Sequence, residues 1–327
     1  MSKLQVLFIP HEMPDLADWS ADLLQALEGR FEVRHLDREA PLPPQFAGIE
    51  AMVDQGSGPT REMIDAAADA GVRFLQLQTN GLDHVDLDYL RGKGLMTAHC
   101  PGHLSAVALA QNAMMFILML AGRYREAQVN FAQGPFFMPR GRELVGMTLG
   151  IVGLGASGTE LARRAKPFGM RIEAIDVREI DAEILDEIRP DFLGGPDDLD
   201  AMVGRCDFLS CHLHLTDETR HIIDARRIGL MKPTACYINV CRGGLADEEA
   251  LYAALMEGRI GGAGLDAFAQ EPPDPTLPVF QLPNVVVLPH TAGGTDGTSR
   301  KRAAFAAENL ARFERGEEPQ ALVVGGA

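Results

Sequence analysis

The chain has 327 residues, of which 46% are hydrophobic and 23% are charged, a composition typical of a globular protein rather than of a disordered or fibrous one. The length favours about two domains, each large enough to bury its own core. An excess of 46 acidic over 30 basic residues gives a formal net charge of -16, which makes nucleic acids and anionic membranes poor partners.

Cysteine usage and the N-terminal sequence indicate a cytoplasmic protein. The five cysteines are odd in number and contain no Cys-x-x-Cys pair, so we expect reduced structural thiols rather than a disulfide framework. The first ten residues lack the longer apolar stretch and the cleavage site of a signal peptide. The longest apolar run, residues 113–121, is far shorter than the about 20 residues that a membrane-spanning helix needs.

Short β-rich apolar runs alternate with segments of helical period, and this pattern occurs twice along the chain. In the first series, strands are predicted at residues 4–9, 32–35, 51–54, 74–77 and 96–99, with helices at 16–27 and 61–70. In the second series, strands are predicted at residues 148–152, 171–175, 207–211, 235–240, 261–267 and 284–288. The predicted fold class is therefore α/β, with two doubly wound parallel-sheet domains.

Two helical segments outside these series set the predicted domain boundaries. Residues 104–127 are apolar on almost every side at their centre, which predicts a buried helix at a domain or subunit interface. Residues 299–315 follow the last strand and predict an amphipathic helix that returns to the first domain. We therefore expect a discontinuous substrate/catalytic domain, residues 1–103 and 296–327, into which a Rossmann domain of residues 104–295 is inserted.

A glycine motif, Gly153-x-Gly155-x-x-Gly158, follows the strand predicted at 148–152 and precedes a helix. Asp176 ends the next strand, 18 residues after the last glycine. Such glycines admit a pyrophosphate to a helix N-terminus, and the acidic residue binds the adenosine ribose. Because a carboxylate repels a 2′-phosphate, we predict NAD in preference to NADP by at least about tenfold. Arg178 lies close enough to tolerate that phosphate.

Four polar residues lie at or just after the carboxyl ends of the later strands of the second series, where open α/β sheets bind ligands. They are Arg242, Asp266, Glu271 and His290. Each alone is more often a surface charge or a structural histidine, but together they suit the reduction of a 2-keto acid. That reaction needs a cation for the substrate carboxylate, a general acid for the developing alkoxide, and a carboxylate that keeps the acid protonated.

Ordered motifs over residues 146–295 resemble the D-isomer-specific 2-hydroxyacid dehydrogenase family. They comprise 153–158 with Asp176, and the segments 207–220, 231–233, 238–247, 264–268, 271–272 and 289–290. The resemblance implies a flavodoxin-like substrate/catalytic domain, a Rossmann NAD-binding domain, NAD as cofactor, a small 2-keto or 2-hydroxy acid as substrate, and a homodimer. It also implies that Arg242 binds and polarises the substrate, that Glu271 and His290 form the acid/base pair, and that Asp266 binds the nicotinamide carboxamide.

The resemblance extends to a larger set of site residues. The implied cofactor-binding residues are Gly153, Gly155, Ala156, Ser157, Gly158, Asp176, His212, Thr219, Val240, Cys241, Asp266 and Gly293. The implied substrate-binding residues are Gln55, Gly56, Asn80, Gly81, Arg242 and His290. The chain departs from the family pattern at His214, Gln111 and the pair His11-Glu12, and its histidines show no metal-ligand spacing, so we predict no metal.

Narrower activities within this class remain open at this point. A glyoxylate or hydroxypyruvate reductase and a 3-phosphoglycerate dehydrogenase are the enzyme alternatives. A formate dehydrogenase of this fold is disfavoured because Glu271 stands where that branch typically has glutamine. From a different class, an NAD-sensing interaction protein resembling the family's corepressor branch would retain the fold and the NAD site.

Overall fold

A computed structural model of the chain describes residues 3–13 and 20–325. The chain divides into two compact units, unit 1 with Met1–Leu104 and Asp296–Ala327, and unit 2 with Ser105–Thr295. The strands are β1 Gln5–Ile9, β2 Glu32–His35, β3 Ala51–Asp54, β4 Phe74–Leu77, β5 Met96–Ala98, β6 Thr148–Val152, β7 Arg171–Ile175, β8 Phe192–Gly194, β9 Phe208–Cys211, β10 Cys236–Asn239, β11 Gly262–Leu265, β12 Val285–Val287 and β13 Leu322–Val324. The helices are α1 Ala21–Leu27, α2 Leu42–Phe46, α3 Arg61–Asp69, α4 Leu87–Gly92, α5 Ala106–Ala121, α6 Tyr124–Gln133, α7 Ala156–Ala165, α8 Ala182–Ile188, α9 Leu199–Arg205, α10 Ala225–Leu230, α11 Glu248–Met256 and α12 Asp296–Glu314.

Unit 1 contains a six-stranded sheet in the order β13-β5-β4-β3-β1-β2. All pairings are parallel except that of β13 with β5, which is antiparallel. Val6 and Phe8 of β1 pack towards α1 and α12, whereas Leu7 and Ile9 pack towards α2, α3 and α4. This alternation buries both faces of the sheet, and the strand order reverses between β1 and β3 as in flavodoxin-like folds.

Unit 2 contains a seven-stranded, fully parallel sheet in the order β12-β11-β10-β9-β6-β7-β8. Helices α5, α7 and α8 contribute to the hydrophobic cluster on one face, and α9, α10 and α11 to the cluster on the other. The strand order reverses between β6 and β9, which is the arrangement of the Rossmann fold. The α/β fold class with two doubly wound parallel sheets is thereby confirmed.

The single buried helix predicted over residues 104–127 is wrong in its bounds. A 3-10 turn over Gly102–Leu104 precedes α5, and α5 ends at Ala121. Gly122 follows, and Arg123 has a left-handed φ of 50°, which a continuing helix cannot accommodate. Helix α6 then starts in a new direction and, unlike α5, has no buried residue.

No single helix among the described residues is long and apolar enough to cross a membrane. Helices α5 and α6 pass such a test only as a pair, and they are bent by 51° at their junction.

Several short elements have no counterpart in the sequence-based prediction. Strands β8 and β13 have three residues each, and helices α2 and α4 have five and six. Such segments are too short to show a hydrophobic period in the sequence. They are stabilised by pairing with the edge of a sheet or by packing on a hydrophobic core. Residues 16–19 of the predicted first helix lie outside the described residues, and α1 accounts for its C-terminal part.

Candidate active site

The residues singled out in unit 2 lie along the carboxyl edge of one parallel sheet. The strands lie side by side in the order β12, β11, β10, β9, β6 and β7. The groups that follow them are, in the same order, His290, Asp266, Arg242, His212, the glycine motif and Asp176. Five strand spacings of about 4.8 Å separate β12 from β7, or about 24 Å. An extended dinucleotide along this edge would have its adenosine at Asp176 and its nicotinamide near His290.

The three glycines of the motif face different surroundings. A Cβ at Gly153 would lie 2.5 Å from the His212 carbonyl oxygen, and one at Gly158 would lie 2.1 Å from the Gly153 oxygen. These two glycines therefore allow the turn to pack against β9 and against α7. At Gly155, in contrast, the nearest atom is Arg178 Nη2 at 3.5 Å, the end of a long and exposed side chain, so a ligand can reach this glycine when that side chain moves. Helix α7 begins there without a side-chain cap, which leaves N–H groups for phosphate oxygens.

Asp176 joins the glycine motif to the end of β7. Its Oδ2 accepts a hydrogen bond of 2.8 Å from the Leu154 N–H, and its carboxylate pairs with the Arg178 guanidinium. Burial raises the pKa of Asp176, but the bonds from Arg178 and from the two backbone N–H groups more than offset this, so its pKa lies below the ordinary value. The carboxylate is thus ionised where the adenosine ribose is expected. These residues fit a dinucleotide.

His212 is a buried bridge between the glycine-motif helix and β9. Its Nδ1 lies 3.0 Å from Ser157 Oγ, and its Nε2 lies 2.9 Å from Ser210 Oγ. Burial lowers the pKa of His212 to about 4, so the imidazole is neutral and serves to hold Ser157. Thr219 closes the loop after β9 by donating a hydrogen bond of 2.7 Å to the His214 carbonyl oxygen.

Two residues that the sequence analysis did not single out shape the loop that carries Arg242. The buried Asn239 side chain donates to the Arg242 carbonyl oxygen at 2.8 Å and accepts from the Cys241 N–H at 3.0 Å. A Cβ at Gly243 would lie 1.9 Å from the Phe268 carbonyl carbon, so this loop packs directly on the backbone that leads to Glu271. The sequence could have indicated the role of Asn239, because an asparagine at the end of an apolar strand is unusual. The backbone packing of Gly243 has no such sign in the sequence.

The cysteine thiols are unpaired and buried or partly buried. Cys241 lies beside Arg242, yet burial raises its pKa to about 12, so it remains a neutral thiol rather than a reactive thiolate.

His290 and Glu271 form an ion pair, with Nδ1 and Oε2 2.6 Å apart. The hydrogen bond that His290 donates to Glu271 and the negative charge of Glu271 raise the pKa of His290 above the ordinary value, although burial and Arg242 act in the opposite direction. Burial raises the pKa of Glu271, but the hydrogen bonds from His290 and the Phe268 N–H, together with the charges of His290 and Arg242, more than offset this, and the pKa is lowered. The Phe268 N–H holds the other carboxylate oxygen at 2.9 Å, which orients Glu271.

Asp266 stabilises the turn after His290. Its two carboxylate oxygens accept hydrogen bonds from the Thr291 N–H at 2.7 Å and the Ala292 N–H at 3.0 Å. His290 has a left-handed φ of 55°, which is costly for a residue with a side chain and persists only where neighbours hold it. Asp266 therefore helps to set the direction of the imidazole, while its contact with a nicotinamide stays a prediction.

Loops after β3 and β4 of unit 1 carry the residues predicted to bind substrate. Gln55 accepts a hydrogen bond of 3.0 Å from the N–H of His11, which gives His11 a structural contact between the ends of β1 and β3. The Asn80 carbonyl oxygen lies 3.2 Å from His99 Nδ1, and the Gly81 carbonyl oxygen accepts from the Thr79 hydroxyl at 3.1 Å.

Asp54 fixes the conformation of the loop after β3 through hydrogen bonds to its backbone. It is fully buried, and its Oδ1 accepts hydrogen bonds from the N–H groups of Gly56 at 2.8 Å and Gly58 at 3.0 Å. Both glycines have φ values of the left-handed region, 130° and 79°. Asp54 Oδ2 is buried without a hydrogen-bond partner among the described residues, and burial raises the pKa of the carboxyl to about 6. Sequence reasoning did not single out Asp54.

No group of three His, Cys, Asp or Glu side chains suited to a metal ion is present in the part of the chain that the structure describes. Val240 is buried at the end of β10, and Gly293 lies in open surroundings after His290. Ala156 is the first residue of α7. The cofactor roles implied for these three residues stay predictions.

Comparisons with known proteins agree with the α/β fold of this chain. The family model described as D-isomer specific 2-hydroxyacid dehydrogenase, NAD binding domain, matches residues 114–292. A glyoxylate reductase of Korarchaeum cryptofilum is 35% identical over 331 residues, which cover 97% of this chain and 95% of that protein. A hydroxypyruvate reductase of Thermotoga maritima is 37% identical over 225 residues, or 68% of this chain and 71% of that protein. A 2-hydroxyacid dehydrogenase structure from Ketogulonicigenium vulgare has a TM-score of 0.83 and 30% sequence identity, with 100% of both chains covered.

Proposed function

Because this chain belongs to the D-isomer specific 2-hydroxyacid dehydrogenase family, we propose that its substrate is a small acid of the size of glyoxylate or hydroxypyruvate. The chain is an NAD-dependent oxidoreductase that interconverts a D-2-hydroxy acid and a 2-keto acid. The names of the similar reductases support this substrate class. The single observation that carries the chemistry is the 2.6 Å pair of His290 and Glu271 on the sheet edge that also bears Arg242 and the glycine motif.

His290 is the proposed general acid in keto-acid reduction. Its Nδ1 is held by Glu271, so Nε2 is the ring nitrogen that would protonate the carbonyl oxygen. When bound, the cofactor would supply a hydride to the substrate C2 as NADH, or accept one from it as NAD+. Glu271 keeps the imidazole charged before the reaction and, in the oxidation direction, stabilises the charge that His290 gains as base.

Arg242 is the proposed partner of the substrate carboxylate and carbonyl. A guanidinium can donate two parallel hydrogen bonds to a carboxylate, which fixes the orientation of a small acid. We propose the loops with Gln55, Gly56, Asn80 and Gly81 as further carboxylate-binding elements. The Gln55 and Gly56 N–H groups are already donated to the Ile9 carbonyl oxygen and to Asp54, so the backbone N–H groups proposed for the substrate are those of Asn80 and Gly81.

The test is an NADH-oxidation screen over glyoxylate, hydroxypyruvate, pyruvate and larger or aromatic 2-keto acids, with 3-phosphoglycerate and NAD in the opposite direction. We expect the highest kcat/KM with the smallest keto acids. Arg242→Lys should raise KM strongly, and Arg242→Ala should lose most of kcat/KM while NADH still binds. Preference for an aromatic keto acid or for 3-phosphoglycerate would overturn the substrate assignment. NADH binding without turnover of any acid would favour the corepressor-like alternative.

We also propose a homodimer, formed through the segment 124–138. Six large apolar or aromatic side chains there are exposed, among them Phe137, which is fully exposed. The set is Tyr124, Val129, Phe131, Phe136, Phe137 and Met138. So much apolar surface in one short segment is typical of a protein interface.

The five cysteines form no disulfide, which supports a cytoplasmic location, where thiols are kept reduced.

A further inference from the structure

Asp176 has its hydrogen-bonding capacity filled by donors of the chain itself. Its Oδ1 accepts from the backbone N–H and the Nε of Arg178, both at 2.9 Å. Its Oδ2 accepts from the Leu154 N–H and from Arg178 Nη2, both at 2.8 Å. A carboxylate offers about four lone-pair sites, so these four donors leave none for the two hydroxyl groups of a ribose.

Two of the four donors can be exchanged and two cannot. The N–H groups of Leu154 and Arg178 belong to the backbone that forms the glycine turn and the end of β7. The guanidinium, in contrast, contributes one donor to each carboxylate oxygen, which is the arrangement that a ribose diol would offer. The Arg178 side chain is 59% exposed and the Asp176 side chain only 4%, so the guanidinium covers the carboxylate and can swing into solvent.

The displaced guanidinium would remain close to phosphate groups. While it is paired with Asp176, Arg178 Nη2 lies 3.5 Å from the position of a Cβ at Gly155, the glycine beside which the pyrophosphate is expected. The side chain begins two residues after Asp176, so it stays tethered beside the ribose hydroxyls once it leaves the carboxylate. A cation there offsets the repulsion that Asp176 exerts on a 2′-phosphate.

We propose that Arg178 is a cofactor-specificity residue that competes with the adenosine ribose for Asp176 and, once displaced, binds the 2′-phosphate of NADP(H). NADH binding is then weaker than the bare carboxylate would allow, and NADPH binding is stronger. The role of Arg178 rests on the ribose-binding role proposed for Asp176.

Arg178→Ala separates the two effects in equilibrium binding, without turnover. The probes are NADH and NADPH, followed by nicotinamide fluorescence, and 5′-AMP and 2′,5′-ADP, followed by calorimetry. Removing the competitor should tighten NADH and 5′-AMP by roughly two- to fivefold, the range of an exposed ion pair. Removing the cation should weaken NADPH and 2′,5′-ADP by about tenfold.

Two further variants control for charge and for geometry. Arg226 makes a two-pronged pair with Asp200 and is similarly exposed, so Arg226→Ala removes the same charge and should leave all four dissociation constants unchanged. Arg178→Lys keeps the charge but loses the fork, so NADH should tighten while NADPH stays within a few-fold of the parent.

Weaker NADH binding in Arg178→Ala, or an unchanged ratio of NADH to NADPH affinity, would overturn the role of Arg178. Failure of the parent protein to bind NADH or 5′-AMP would instead overturn the assignment of Asp176 and, with it, the role of Arg178. Keto-acid turnover is measured separately, so loss of the proposed substrate specificity alone would not be mistaken for either result.

Discussion

At the scale of single residues, the pair of His290 and Glu271 couples proton transfer to pH. The hydrogen bond and charge of Glu271 raise the pKa of His290, which keeps the proposed acid protonated to higher pH. Glu271→Gln removes the charge, so the pKa of His290 should fall. The alkaline limb of the pH profile for keto-acid reduction should therefore move to lower pH, and oxidation should gain relative activity there. Steady-state kcat in both directions between about pH 5 and 9 measures the shift.

His290→Ala is the companion variant. Loss of a positioned proton donor should reduce kcat by roughly two to four orders of magnitude, with little change in the Kd of NADH. A fully active His290→Ala enzyme would show that another group donates the proton. A pH limb that stays in place in Glu271→Gln would show that another group tunes the histidine.

Asp54 should lower the free energy of unfolding as pH rises, whereas most carboxylates raise it. Its pKa in the folded protein is about 6, above the ordinary 3.8, because burial disfavours the charged form. The folded state therefore holds the proton more tightly than the unfolded chain, and ionisation costs stability as pH rises from about 4 to about 6. Asp54→Asn keeps the Oδ1 acceptor for Gly56 and Gly58 but does not titrate.

The unfolding free energy of Asp54→Asn relative to the parent should increase by about 2 kcal/mol between about pH 4.5 and 7.5. Urea unfolding at several pH values measures this difference. Glu39→Gln removes an exposed carboxylate of the same unit and serves as the charge control. A difference independent of pH would mean that Asp54 ionises as easily in the folded protein as in the unfolded chain.

At the scale of elements, the site depends on two loops that pack backbone to backbone. A Cβ at Gly243 would lie 1.9 Å from the Phe268 carbonyl carbon, so Gly243→Ala must separate the loop of Arg242 from the backbone leading to Glu271. We expect a loss of about 1–3 kcal/mol in unfolding free energy and a large loss of kcat/KM. Denaturant unfolding and steady-state kinetics with NADH measure both.

Gly229→Ala is the matched control, because nothing lies within 4 Å of a Cβ at this position in α10. Alanine favours a helix over glycine by up to about 1 kcal/mol, so this variant should be as stable as the parent or slightly more so. Parent-like kcat/KM in Gly243→Ala would contradict the close packing of the two loops.

At the scale of the whole molecule, the exposed apolar segment 124–138 predicts self-association. Replacing Phe136 and Phe137 by aspartate should convert a dimer into a monomer, because two charges would be buried in an apolar interface. Light scattering coupled to gel filtration, over a range of concentrations, gives the mass. Met256→Asp places a charge at another exposed apolar site and should leave the mass unchanged. A monomeric parent protein would overturn the dimer.

The sequence was most informative for features of the fold that leave a pattern in a short stretch of residues. The alternation of apolar strands and helical segments predicted the two parallel sheets, since each fully buried strand must itself be apolar. The glycine motif, Asp176, Arg242 and His290 were singled out because glycine turns and strand ends mark ligand sites in such sheets. The break at Gly122 and Arg123 was missed, because the apolar pattern continues up to it and arginine rarely adopts a left-handed φ.

By itself, the sequence determined the fold class, the dinucleotide motif and the residue types available for catalysis, because these depend on composition and spacing along the chain. The pairing of Glu271 with His290 was expected from the family resemblance, but only the tertiary structure decided its distance and the other contacts, Gly243 with Phe268 and the Arg178 fork with Asp176. The buried Asp54 likewise becomes unusual only when the sheet removes it from water. Distances, burial and shifted pKa values arise from groups brought together by folding, and periodicity along the chain does not encode them.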